Sequence, residues 1–174
     1  MGMLTTDRHN LRELYIETVK RALNSERQIA DKGLPAMIEK STNPQLVDAF
    51  RNHLVETRNH IVRLERILDA QTGEADDARC QVTSSLISTA ESNLSDAENN
   101  ILRDVILLAA GSQVEHHEMA VYGTLRTWAE VLGESQDAAL LDRTLQEEEN
   151  ADALLTRLSQ RINISAVEPH SVAA

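Results

Sequence analysis

One cysteine, three prolines, six glycines and four aromatic residues (Tyr15, Phe50, Tyr122 and Trp128) are spread over 174 residues. A lone Cys80 closes no internal disulfide, so cross-links do not hold this fold together, and the thiol reads as a small packing residue. So few turn formers and bulky strand formers exclude a β-sandwich or barrel. Long apolar runs are missing too: the longest, Val105 to Ala110, is far below the ~20 residues that cross a bilayer. Positive charge is in deficit, with 17 Lys and Arg against 28 Asp and Glu and a net charge of −11. That balance argues against nucleic acid or an anionic membrane as partner. No basic segment leads into an apolar core over Met1 to Leu14, so a cytoplasmic protein is expected.

What is present is helical periodicity. Apolar residues recur at three- and four-residue steps through roughly 9–40, 45–70, 97–132 and 136–162, the period of one helix face. Asn43-Pro44 supplies a cap and a first-turn proline, Gly73 and Gly133 stand where helices end, and Ser95 or Asp96 can cap the third stretch. Gly33 and Pro35 predict a kink or a tightened turn inside the first stretch. Short links join the first stretch to the second and the third to the fourth, which predicts two antiparallel hairpins. The long link between the hairpins carries Val82, Leu86, Ile87 and Leu94 at helical spacing, enough for a short extra helix over 79–94. The expected fold is all-α: an antiparallel four-helix bundle of ferritin-like connectivity over 1–162, with this helix-containing crossover between helices 2 and 3 and a frayed tail over 163–174.

Carboxylates interrupt the apolar stripe of each helix. The first runs Tyr15, Val19, Ala22, Glu26, Ile29; the third runs Leu108, Gly111, Glu115, Glu118, Tyr122; the fourth runs Leu141, Leu145, Glu148, Asp152, Leu155. The second runs Phe50, His53, Thr57, His60, Leu64, with Glu56 between the two histidines. Folding each hairpin about its turn sets Glu26 level with Glu56, Glu118 level with Glu148, and Glu115 opposite Asp152. Side chains three, four and seven apart share a face, so these groups can converge on one locus.

An unpartnered buried carboxylate costs several kcal/mol, against total stabilities of ~5 to 15 kcal/mol. Few cations lie on these faces, so the acids protonate, reach water, or surround a multivalent cation. Oxygen ligands joined by one or two imidazoles suit iron or manganese. His116 and His117 diverge by ~100° and cannot both face inward. Glu147 and Glu149 flank the stripe and read as solvated acids, while Tyr122, on the Glu118 face, reads either as a donor to a ligand carboxylate or, more commonly for a buried tyrosine, as a core residue anchored by its hydroxyl.

The string Gln113-Val-Glu-His-His-Glu-Met-Ala-Val-Tyr-Gly-Thr-Leu125, followed by Ala129-Glu-Val-Leu-Gly133, resembles the signature of the YciE/YciF ferritin-like family of bacterial stress proteins. Asn24-Ser-Glu-Arg-Gln-Ile29, Phe50-Arg-Asn-His-Leu-Val-Glu-Thr57 with Arg63-Leu-Glu65, and Thr144-Leu-Gln-Glu-Glu-Glu149 with Asp152 agree with it. The resemblance implies a four-helix domain with a dinuclear metal site, two iron ions or alternatively manganese, and a role in stress response. Carried over by position, the implied ligands are Glu26, Glu56, Glu115, Glu118 and Glu148, with His60 and Asp152 behind them; the residues themselves leave open whether His53 or His116 takes the place of His60. The sequence departs from the Glu-x-x-His spacing of ferritins and rubrerythrins: His60 follows Glu56 by four, and Asp152 stands where a histidine is expected. Arg21 and Leu23 also occupy positions where relatives carry Asp and Tyr.

The function expected from this reading is oxidation of Fe(II), or reduction of peroxide or oxygen, at two ions bridged by Glu56 and Glu148, with Glu26 and Glu115 or Glu118 as terminal ligands. Two other readings stay open. One is a structural or interaction bundle whose acids are protonated or wetted; the other is iron storage in a larger assembly. Expected partners are iron, oxygen or hydrogen peroxide, and further copies of the chain, a dimer first. No Cys-x-x-Cys pair supplies a built-in electron donor.

Overall fold

The computed structural model describes residues 10–167, and every regular element in them is helical. Helix α1 (Leu11–Gln28) starts at Asn10, whose side chain accepts from the Glu13 N–H. It passes through a π-turn, Ile29–Gly33, straight into α2 (Leu34–Lys40), so the first stretch is one rod. Pro35 has no N–H to return to the preceding turn, and a widened turn stands just before it where a kink or a tightened turn was expected. Helix α3 (Pro44–Thr72) opens on the Asn43 cap, which accepts from the Gln45 and Leu46 N–H groups, and closes on Gly73 in the left-handed region.

Helix α4 (Gln81–Ser95) is the crossover. It climbs beside the first rod through Asn24 to the Cys80 N–H, Gln28 to Ser84 and Lys32 to Glu91. Because α4 runs on to Ser95, neither Ser95 nor Asp96 caps the next helix. Asn99 does, accepting from the Leu102 N–H at the start of α5 (Asn100–Leu132). Gly133 ends α5 at φ 78°, and α6 (Ser135–Val167) returns. Residues 163–167 of the expected tail continue α6; the rest of it lies outside the described residues.

The long helices form a square in which every neighbour is antiparallel: α1 against α3, α3 against α6, α6 against α5 and α5 against α1. This is the all-α four-helix bundle with a helical crossover. At one end Asp104 of α5 accepts from Thr42 N–H, Thr42 Oγ1 and Asn43 N–H at 2.7, 2.6 and 2.9 Å, tying down the α2–α3 turn. At the other end Tyr15 and Gln71 both donate to Asp137 of α6. Among the described residues no helix is long and apolar enough to cross a membrane.

The interior has two apolar layers rather than one. Tyr15, Val19, Leu23, Leu64, Leu68, Leu125 and Leu141 pack at one end, and Ile29, Leu46, Phe50, Leu107, Leu155 and Leu158 at the other. Between them lies a belt of buried polar side chains from all four rods.

Candidate metal centre

Each long helix supplies the belt at mid-height. Glu26 comes from α1, one residue-triplet before the π-turn; His53, Thr57 and His60 from α3; Glu115 and Glu118 from α5; Glu148 from α6. The α3 residues lie four and seven apart, and the α5 pair three apart, so each set shares a face. All are buried, with Glu26, Thr57, His60 and Glu148 at 0% exposure.

Two groups of side chains converge, each bringing one ligand atom per residue within 4.8 Å of the others: His53, Glu115, Glu118 and Glu148, and Glu26, His60 and Glu148. Glu148 belongs to both. Its Oε1 is 3.1 Å from His60 Nδ1 and its Oε2 is 3.6 Å from His53 Nε2. His60 Nδ1 also lies 3.3 Å from Glu26 Oε1, and His53 Nε2 lies 3.3 Å from Glu115 Oε1. The opposite nitrogens point outward onto carboxylates: His60 Nε2 to Glu147 at 2.9 Å and His53 Nδ1 to Glu56 at 3.4 Å. Glu147 is itself held by Arg63 at 2.5 and 3.0 Å and by Arg143 at 3.2 Å. Tyr122 donates a short hydrogen bond to Glu26.

The electrostatics are those of charges crowded away from water. Burial pushes the His53 and His60 imidazoles down, but the carboxylates against them prevail, raising His53 to about 9 and His60 to about 11. Glu115 and Glu118 are held well above the carboxylate range, first by burial; Glu148 adds to this at Glu115, and Glu26, Glu148 and Glu115 add at Glu118. Burial alone would raise Glu148, yet the two histidines hold it low. Burial and Glu26 raise the Tyr122 phenol. Glu147 is the contrast: Arg63 and His60 overcome its burial and lower it to about 2.

The atoms facing the middle of the belt lack partners. Glu26 Oε2, Glu115 Oε2, both oxygens of Glu118 and of Glu148, His53 Nε2 and His60 Nδ1 are buried without a hydrogen bond. His53 Nε2, His60 Nδ1 and the two Glu148 oxygens meet one another only as ion pairs at 3.1–3.6 Å, both Glu118 oxygens have no cationic partner among the described residues, and the outward-facing atoms of the same imidazoles are hydrogen-bonded. Four carboxylates balance two divalent cations, and an oxygen-rich set with two imidazoles is the donor chemistry of iron or manganese. The residues fit a dinuclear centre.

Residues 10–167 match the family described as a domain of unknown function, DUF892. The chain belongs to this family. This DUF892 chain is 33% identical over 150 residues to Protein YciF of Escherichia coli K12, spanning 86% of this chain and 90% of the relative. The crystal structure of the E. coli stress protein YciF matches with a TM-score of 0.85 at 32% identity, over 90% of this chain and 99% of that one. YcfI from Rhodopseudomonas palustris matches with a TM-score of 0.85 at 30% identity, over 88% and 98% of the two chains. A Xanthomonas campestris protein at 19% identity and a TM-score of 0.72, over 91% and 96%, shares the fold.

Of the residues singled out in the DUF892 chain from sequence, Glu26, His60, Glu115, Glu118 and Glu148 meet in the belt. Glu56 and Asp152 are in neither group of converging atoms. Relative to His53, Glu56 is turned by about 60° around α3, whereas His60 is turned by only about 20°; the Glu56 side chain is 43% exposed and meets His53 from outside. Asp152 sits one turn beyond Glu148 and faces His116 at 3.4 Å. His53 enters the cluster; its seven-residue spacing from His60 was the available signal. Glu147, expected to be solvated, is engaged by Arg63 and His60, a pairing across α3 and α6 that no local pattern announces.

Proposed function

We propose that the belt holds two divalent cations, iron before manganese, and that the loaded protein is a ferritin-like oxidoreductase of the stress response. The observation that carries this reading is the sharing of Glu148, both of whose oxygens are buried without a hydrogen bond, by two groups of buried side chains that converge within 4.8 Å. Glu26, His60 and Glu148 would hold one ion; His53, Glu115, Glu118 and Glu148 would hold the other. Two ferrous ions would supply two electrons, which with two protons take dioxygen to hydrogen peroxide, or hydrogen peroxide to water.

The chain's own residues prepare that chemistry. His60 presents Nδ1 inward because Glu147 occupies Nε2, and His53 presents Nε2 because Glu56 faces Nδ1; carboxylates behind histidine ligands fix ring orientation and raise basicity. Arg63 keeps Glu147 charged and aimed. Tyr122 holds Glu26 Oε1 beside His60 Nδ1 and leaves Oε2 without a hydrogen-bond partner. Leu64 and Tyr122 on one side and Ile29, Phe50 and Leu155 on the other shut bulk water out along the bundle axis.

Anaerobic titration with Fe(II), followed by oxidation with oxygen or peroxide, tests this. Two ions per chain are expected in the wild type, and at most one, weakly held, in Glu148→Ala. Glu56→Ala is expected to keep both sites while binding them less tightly. A Glu148→Ala protein that still takes up two ions overturns the assignment, and so does a wild type that takes up none.

A further inference from the structure

Three cavities touch the belt, and they differ in chemistry. One of about 440 Å³ between α1, α4 and α5 reaches Glu118 past Arg21, Ser25 and His117. Another of about 290 Å³ between α3 and α6 reaches His53 and Glu115 past Asn52, Glu56 and Asn150. Both carry charged and amide side chains among apolar ones, which gives water and ions partners along the way. The third, between the π-turn, α2, α4 and α5, is only about 40 Å³. Ile29, Leu86, Ile87, Leu107, Ala110 and Val114 wall it, His53 and Glu115 close its inner end, and the charged side chains Lys40 and Glu91 stand at its rim.

Between its charged rim and its inner end the small cavity offers water few polar partners, where water needs 2–4, and apolar sites of this kind accept gases such as xenon. About 40 Å³ is room enough for a diatomic molecule. It ends on His53 and Glu115, whose Nε2 and Oε2 have no hydrogen-bond partner. The π-turn shapes one wall by bringing Ile29 and Gly33 to the cavity just after Glu26.

We infer that this cavity binds dioxygen and delivers it to the His53–Glu115 side of the centre. This rests on the proposed dinuclear function for its chemistry, but the affinity of the cavity for a small apolar gas belongs to the apolar walls and needs no metal.

Xenon, followed by NMR on the metal-free protein, is the probe. Wild type is expected to bind it, Ala110→Val to lose it by filling the cavity, and Leu86→Ala to keep it. With Fe(II) loaded, Ala110→Val is expected to react with oxygen about tenfold more slowly, while its peroxide reaction and metal stoichiometry match the wild type. No xenon in the wild type overturns the inference, as does a Leu86→Ala protein that loses it. Equal slowing of the oxygen and peroxide reactions in Ala110→Val also overturns it. If Ala110→Val does not fold, Leu86→Ala carries the test, with an oxygen rate at or above wild type expected and a lower one contradicting it. A chain that takes up no iron overturns the proposed function, and xenon then still decides the cavity.

Discussion

Glu147 grips His60 by the ring nitrogen that faces away from the cluster, Oε2 to Nε2 at 2.9 Å. The imidazole is thereby fixed with Nδ1 inward, and the carboxylate is fixed in turn by Arg63. Partners of this kind are worth about 10–100-fold in metal affinity. Glu147→Ala is therefore expected to weaken metal binding by about that factor, with two ions per chain still bound at saturation. Competition against a chromophoric chelator measures it, and unchanged affinity would show that the bond is only structural.

Glu118 has both carboxylate oxygens buried and unpaired, against Glu26, Glu148 and Glu115. Without a cation this arrangement opposes folding; with one it would be a ligand. Glu118→Gln is expected to stabilise the metal-free chain by about 1–3 kcal/mol and to shrink the rise in Tm that metal produces in the wild type. Urea unfolding in chelator, paired with thermal unfolding in Mn(II), reads both changes, and a loss of metal-free stability would contradict the account.

The fold was legible where single residues dictate backbone. Asn43-Pro44 supplies the cap and the first-turn proline that open α3, and Gly73 and Gly133 end helices at φ 76° and 78°. The belt was legible because an acid on an apolar stripe has no local reason to be there, and Glu26, Glu115, Glu118 and Glu148 all stand out that way. Other features were not legible because they depend on partners distant in sequence. Glu147 looks like its neighbour Glu149 until Arg63, 84 residues earlier, is seen beside it. The π-turn has no residue signature beyond Gly33 and Pro35, which equally suit a kink. Asn99 displaced Ser95 as a cap only because α4 ran longer than its apolar residues required.

Tyr15 is buried at the end of the bundle and donates to Asp137 at 3.0 Å. Burial, and then the Asp137 carboxylate, raise its phenol above the ordinary value of 10.0. A raised folded-state pKa means that the native state holds the proton more tightly, so the stability it contributes is fully present below pH 10 and is lost as pH rises above it. Tyr15→Phe is expected to cost about 1–2 kcal/mol at neutral pH and to flatten the decline in stability above pH 10. Urea midpoints for both proteins across pH 8 to 11 decide it; parallel curves would refute the assignment.

Gly111 and Gly123 are both interior to α5, yet their surroundings differ. A Cβ on Gly123 would meet nothing within 4 Å, so Gly123→Ala recovers helix propensity alone and should stabilise the fold by about 1 kcal/mol. A Cβ on Gly111 would lie 2.9 Å from Leu155 Cδ1 and 3.3 Å from Phe50 Cε1. Both neighbours are packed in the apolar layer next to the belt, at 3% and 2% exposure, so neither yields without disturbing the other. Gly111→Ala is expected to lower stability by about 1–2 kcal/mol net of the propensity gain. Urea midpoints at unchanged m-value should therefore move in opposite directions for the two variants, and a stabilised Gly111→Ala would mean that α5 and α6 are not pressed together at this level.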